Sequence, residues 1–132
     1  MKRRELEQLL REAGRVAREV EFFVIGSQAI HAYCRRAPTE TLLSQECDLY
    51  PKNRPEAANL IENKLGRRSK FARLYGFYAD VVTPEIATLP KGWERRLKTF
   101  SAGRITALCL DANDLVVSSK NRLSGIERKS KS

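Results

Sequence analysis

An apolar run that ends abruptly in Gly-Ser, Phe22-Phe23-Val24-Ile25-Gly26-Ser27, constrains this chain most when it is taken with Glu46-Cys47-Asp48-Leu49-Tyr50 further along. The first run has the length and the β-branched and aromatic content of a buried strand. A helix-compatible segment, 28–33, follows its Gly-Ser end directly. The second stretch places two carboxylates at i and i+2 inside an apolar segment. Side chains on a strand alternate faces, so Glu46 and Asp48 point the same way. Like charges on one face repel and raise each other's pKa unless a cation stands between them. A divalent ion meets that need: Mg²⁺ binds through one or two carboxylates plus substrate phosphate oxygens, and Mn²⁺ takes the same donors. A Gly-Ser turn that opens a helix offers N–H groups and a hydroxyl to those phosphates.

At 132 residues the chain has the size of one domain, able to build a core without disulfides or a structural metal. No apolar run approaches the length of a membrane span. Residues 1–5 lead into charged helical sequence and not into the apolar core of a signal peptide, so a cytoplasmic protein with no membrane partner is expected. Cys34, Cys47 and Cys109 are widely spaced and accompany a single His, a pattern for buried free thiols and not for a zinc site. The net charge of +9, with basic pairs at Arg3-Arg4, Arg35-Arg36, Arg67-Arg68 and Arg95-Arg96, favours a phosphate-bearing partner, a nucleotide or a nucleic acid.

Taken in order, 2–19 reads as an amphipathic helix with Leu6, Leu9, Leu10, Ala13, Val16 and Ala17 at spacings of three and four. Gly14 within it costs about 1 kcal/mol relative to Ala. A strand is expected over 21–25, a helix over 28–33 and a second strand over 42–50, stopped by Pro51. His31 reads as a partly exposed helix residue. Pro55 opens a helix that Gly66 ends, and 67–70 is a basic loop. A third strand over 74–82 carries Tyr78, Asp80 and Val82 on one face. A loop over 84–93, a hairpin of 95–100 with 104–110, and a helix over 112–123 capped by Asp111 complete the pattern. The polar tail 126–132 is expected to fray. Helices alternating with strands, one hairpin and no internal break indicate a single α/β (α+β) domain over 1–132, a mixed sheet covered by helices.

The carboxylates suggest a reaction class. Phosphoryl transfer with two divalent ions needs carboxylates that hold the ions about 3.5–4 Å apart. Glu46, Asp48 and Asp80 would be those ligands, Gly26 and Ser27 would hold the β- and γ-phosphates, and Lys120 would neutralise further charge. Each part alone has a plainer use: a turn, a solvent-facing strand edge, a carboxylate paired with an arginine, a surface lysine.

Gly26-Ser27, then Glu46-x-Asp48, then a carboxylate on a later strand resembles the nucleotidyltransferase fold of the DNA polymerase β superfamily. The strings Val24-Ile25-Gly26-Ser27-Gln28-Ala29-Ile30, Cys47-Asp48-Leu49-Tyr50-Pro51, Pro84-Glu85, Leu89-Pro90, Gly92-Trp93-Glu94 and Asp114-Leu115-Val116-Val117-Ser118 resemble a group of small bacterial nucleotidyltransferase-like proteins. The resemblance implies transfer of a nucleotidyl group from a nucleoside triphosphate to a hydroxyl on RNA or protein, with Mg²⁺ or Mn²⁺. By analogy with toxins of the same superfamily, it implies a toxin–antitoxin or defence setting. Glu46 stands where Asp is more usual, no strong motif surrounds Asp80, and the tail beyond Ser118 departs from the group. The alternative is a non-catalytic module of this fold that binds nucleic acid or a protein partner.

Overall fold

A computed structural model describes residues 1–118. Helix α1 (Arg3–Ala17) forms where the periodicity predicts it and buries Leu6, Leu9, Leu10, Ala13 and Ala17. Strand β1 (Glu21–Val24) follows, then a 3-10 helix (Ser27–Ala32) and a short α2 (Thr39–Leu43). Strand β2 (Glu46–Pro51) leads through a 3-10 turn (Pro55–Ala57) into α3 (Ala58–Leu65) and then α4 (Lys70–Tyr75). Strand β3 (Tyr78–Val81), α5 (Pro84–Ala87) and a 3-10 turn (Trp93–Arg95) precede the hairpin of β4 (Lys98–Ala102) and β5 (Ile105–Cys109). Residues 112–118 form a last helix, α6. The continuation of that helix to 123 and the frayed tail over 126–132 lie outside the described residues. The expected class, a mixed sheet with helices packed on it, is what the chain adopts.

The five strands make one sheet in the order β3-β2-β1-β5-β4. β1 is central, antiparallel to β2 and parallel to β5, while β2 and β3 run parallel. Register and alternation put Phe22, Val24, Cys47, Leu49, Ala79, Ile105 and Ala107 on one face. Helix α1 lies on that face, where Gly14 packs against Ile105 so closely that an added Cβ would meet the isoleucine Cδ1 at 2.2 Å. The opposite face carries Glu46, Asp48, Tyr50, Asp80 and Phe23. Trp93 covers part of it, meeting the Phe23 ring edge-on at 5.2 Å. The core is thus the α1 face of the sheet plus a smaller layer under residues 89–97 and 115.

Several local expectations change. Residues 42–45 are not strand: Thr39–Leu43 is helical, and the Met1 ammonium donates to the carbonyls of Thr41, Leu42 and Ser44 at 2.5, 2.8 and 2.5 Å. The apolar character of Leu42 and Leu43 therefore marks a helix end, and β2 continues through Pro51, which pairs with Phe22. The expected third strand is shorter, because Lys70–Tyr75 is a helix capped by the Ser69 hydroxyl and closed by Gly76 at φ 81°. The helix expected over 28–33 is a 3-10 helix that starts at Ser27. His31 is buried, with Nε2 2.9 Å from the Met1 carbonyl, and burial lowers its pKa. The loop 84–93 contains α5, capped by Thr83. The Asp111 cap is present: its carboxylate accepts from the Asp114 N–H at 2.8 Å. Burial raises the Cys47 thiol well above its ordinary value and pushes Cys109 up to about 12, so both behave as buried free thiols. No helix among the described residues is long and apolar enough to cross a membrane.

Gly14 is a packing residue as well as a break in helix propensity. Overpacking a core costs about 1–3 kcal/mol, against a propensity gain near 1 kcal/mol for Ala. Gly14→Ala will therefore lower stability by about 1 kcal/mol, read as a lower denaturant midpoint. Ile105→Val, which deletes the clashing methyl, will recover part of that loss when the two are combined. Urea unfolding of the four members of the double-mutant cycle measures the coupling, and a stabilising Gly14→Ala would refute this account.

Candidate metal centre

The register of two parallel strands assembles the carboxylates. Asp48 of β2 stands opposite Asp80 of β3, and Glu46 stands opposite Tyr78. The backbone bonds Tyr78 N–H to Gln45 O (2.9 Å) and Val82 N–H to Leu49 O (3.1 Å) bracket that pairing. Glu46, Asp48 and Asp80 each bring a carboxylate oxygen within 4.8 Å of the other two. Asp48 is 8% exposed, whereas Glu46 is open to solvent. The third carboxylate, which no motif surrounds, is thus brought to the first two by strand pairing alone.

Gly26 is the fourth element. Its backbone is extended at φ −94° and needs no left-handed conformation. Space is what requires glycine here: an added Cβ would lie 2.6 Å from Asp48 Oδ2 and 3.2 Å from its Cβ. The end of β1 is therefore pressed against the Asp48 carboxylate, held by the Ile25 N–H donating to the Asp48 carbonyl at 2.9 Å. Ser27 follows at once and is exposed. It opens a six-residue 3-10 helix and not an α-helix, so what it offers at this point is a hydroxyl and local N–H groups without the dipole of a long helix.

Electrostatics mark the cluster. The Glu46 pKa is raised by burial first, then by the charges of Asp48 and Asp80. The Tyr78 hydroxyl donates to Glu46 Oε2 at 3.4 Å and opposes part of that shift. Burial, followed by the Glu46 charge, raises the Tyr78 phenol in turn. Strand alternation puts Tyr78 on the face of Asp80 but assigns it no part in the site; the hydrogen bond to Glu46 does. A cleft of about 410 Å³ opens beside the cluster, lined by Glu46, Tyr78 and Asp80 together with Glu62, Arg67 and Arg68. Lys120 lies outside the described residues, so its expected phosphate contact has no geometry here.

Three oxygen donors of this kind suit a hard divalent cation. Oxygens on one ion stand no further apart than about twice the metal–oxygen distance, roughly 4–5 Å across Mg²⁺ and Ca²⁺. The three carboxylate oxygens lie within 4.8 Å of one another, inside the span of Ca²⁺ and somewhat wider than the roughly 4.2 Å across Mg²⁺, so a smaller ion would draw the side chains together. Comparison of the chain with protein-family models, with curated proteins and with solved structures finds no match.

Because the folded state favours protonated Glu46, its charged form opposes folding fully above the raised pKa and not at all below the ordinary value of 4.5. Glu46→Gln will therefore raise the melting temperature of the metal-free protein at neutral pH, and the gain will vanish on acidification below that value. Thermal melts across pH read this directly. The same change at the exposed Glu40 will move the neutral-pH melting temperature little.

Proposed function

We propose that the chain is a metal-dependent nucleotidyltransferase that moves a nucleotidyl group from a nucleoside triphosphate to a hydroxyl on RNA or protein. The observation that carries this reading is the convergence of Glu46, Asp48 and Asp80 beside Gly26-Ser27. A divalent cation, Mg²⁺ or Mn²⁺, supplies Lewis-acid stabilisation of phosphate charge when bound. Glu46 and Asp48 are its ligands, and Asp80 is the third.

The remaining work falls to the chain itself. Ser27 donates its hydroxyl to the terminal phosphates, and the bare Cα of Gly26 leaves room for the Asp48 carboxylate beside them. Asp80 would place one carboxylate oxygen on the cation and take the acceptor hydroxyl proton on the other as the hydroxyl oxygen forms a bond to the α-phosphorus. The bond from that phosphorus to the β-phosphate oxygen breaks, and pyrophosphate leaves with the electron pair. Tyr78 holds Glu46 in place through their hydrogen bond. Lys120 is assigned to the departing phosphates. A cytoplasmic location and a toxin–antitoxin or defence setting belong to the same proposal. The +9 charge favours a second reading, a binding module of this fold without turnover.

Calorimetry with Mn²⁺ and a non-hydrolysable nucleoside triphosphate tests metal and nucleotide binding together. Asp48→Ala and Glu46→Ala will weaken binding by more than the roughly 10–100-fold typical of losing an outer-shell partner, and unchanged affinity would remove the proposal. Gly26→Ala, which displaces the Asp48 carboxylate, will weaken it too while leaving the fold intact by circular dichroism. Transfer of label from α-³²P nucleoside triphosphates onto RNA or protein separates catalysis from binding alone.

A further inference from the structure

The outer face of α1 carries Arg4, Gln8, Arg11 and Arg15, followed by Arg18 just past the helix end, a spacing of four, three, four and three that falls on one stripe. All four arginines are exposed. Arg15 and Arg18 form a ridge between two clefts. One, about 580 Å³, adds Arg54 and Lys64, and the other, about 450 Å³, adds Arg11 and Arg104. Six cations thus surround one surface. Three carboxylates stand against these six: Glu12 pairs with Arg15, Glu56 lines the first cleft, and Glu19 lines the second with its oxygens held by the backbone of Asn53 and Val20.

We propose that this surface docks the sugar–phosphate backbone of a polynucleotide. The stripe from Arg4 to Arg18 extends for roughly 20 Å at 1.5 Å per residue, far longer than one phosphate group. Five of the six clustered cations are arginines, whose planar fork matches phosphate oxygens. The exposed apolar edges of Val20 and Leu60 in the clefts suit sugar contacts. A lipid surface fits less well, because the apolar stripe of α1 that would enter a bilayer is buried on the sheet. The surface lies on the helical layer, whereas the carboxylate cluster faces the other side of the sheet. The inference therefore stands apart from the nucleotidyltransferase reading.

Fluorescence anisotropy with a labelled single-stranded RNA and a labelled DNA duplex, each titrated over a range of salt, tests it. Affinity will fall linearly on a double-logarithmic salt plot. Arg15→Gln/Arg18→Gln will weaken binding and reduce the slope by about 2, one unit for each phosphate contact. Arg35→Gln/Arg36→Gln, which removes equal charge from outside both clefts, will leave the slope unchanged. Polynucleotide binding will be the same in EDTA as with Mn²⁺ present, which separates this result from failure of the metal centre. Equal loss from the two arginine pairs, no binding to either nucleic acid near physiological salt, or tighter binding to phosphatidylserine vesicles would overturn the proposal.

Discussion

The hydrogen bond from the Ile25 N–H to the Asp48 carbonyl joins the end of the central strand to the middle of its neighbour. The register it belongs to decides which side chains of β2 enter the core. Cys47 and Leu49 pack beneath the helices with no measurable exposure, beside Phe22 and Val24. A slip of one residue would turn those apolar groups out and drive Glu46 and Asp48 inward. Burying two carboxylates in that apolar layer costs far more than the pairing returns. The orientation of the acidic cluster is therefore held by the apolar half of the same strand, and β3 inherits it through the Asp48–Asp80 register.

Three carboxylates in this protein show three ways of holding charge near a core. Glu19 is buried, and burial alone would raise its pKa. N–H groups of Asn53, Val20 and Glu21 outweigh that and hold it below its ordinary value. Asp114 is buried against the Arg96 guanidinium, which meets both its oxygens at 2.8 and 2.9 Å and ties α6 to the segment after Trp93. Glu46 has its pKa raised, by burial and by two neighbouring carboxylates. The first arrangement favours the charged form in the folded state, the second sets a guanidinium against the carboxylate, and the third disfavours the charged form. Carboxylates raised in this way are enriched at functional sites, which is why Glu46 supports the proposed metal centre.

The parts of this design that are legible in the sequence are those governed by alternation and local caps. Burial of Phe22 and Val24, the shared face of Glu46 and Asp48, the Asp111 cap and the inner face of α1 all follow from spacing within a few residues. What is not legible depends on distant partners. Leu42 and Leu43 have strand-like character, yet the Met1 ammonium binds the carbonyls at that helix end. His31 is buried because the Met1 carbonyl meets its ring. Tyr78 joins the site because β3 pairs parallel to β2, a choice no local pattern expresses. Gly26 is visible as a turn residue, but its reason, the Asp48 side chain against its Cα, is a tertiary contact.

The sheet also lets two opposite charge environments coexist in a chain of net charge +9. Carboxylates gather on one face, with Arg67 and Arg68 lining the cleft beside them, and a second group of arginines stands on the outer side of the helix that covers the other face. A packed layer is about 10 Å thick, comparable to the screening length of about 8 Å at physiological salt. Over at least that distance salt weakens the coupling between the arginine stripe and the carboxylates. A cation drawn to Glu46, Asp48 and Asp80 and a polyanion drawn to Arg15 and Arg18 would therefore bind with little mutual interference. Moving the stripe to the carboxylate face would weaken both fields, so the alternation of β2 and the amphipathic spacing of α1 together keep the two charge groups apart.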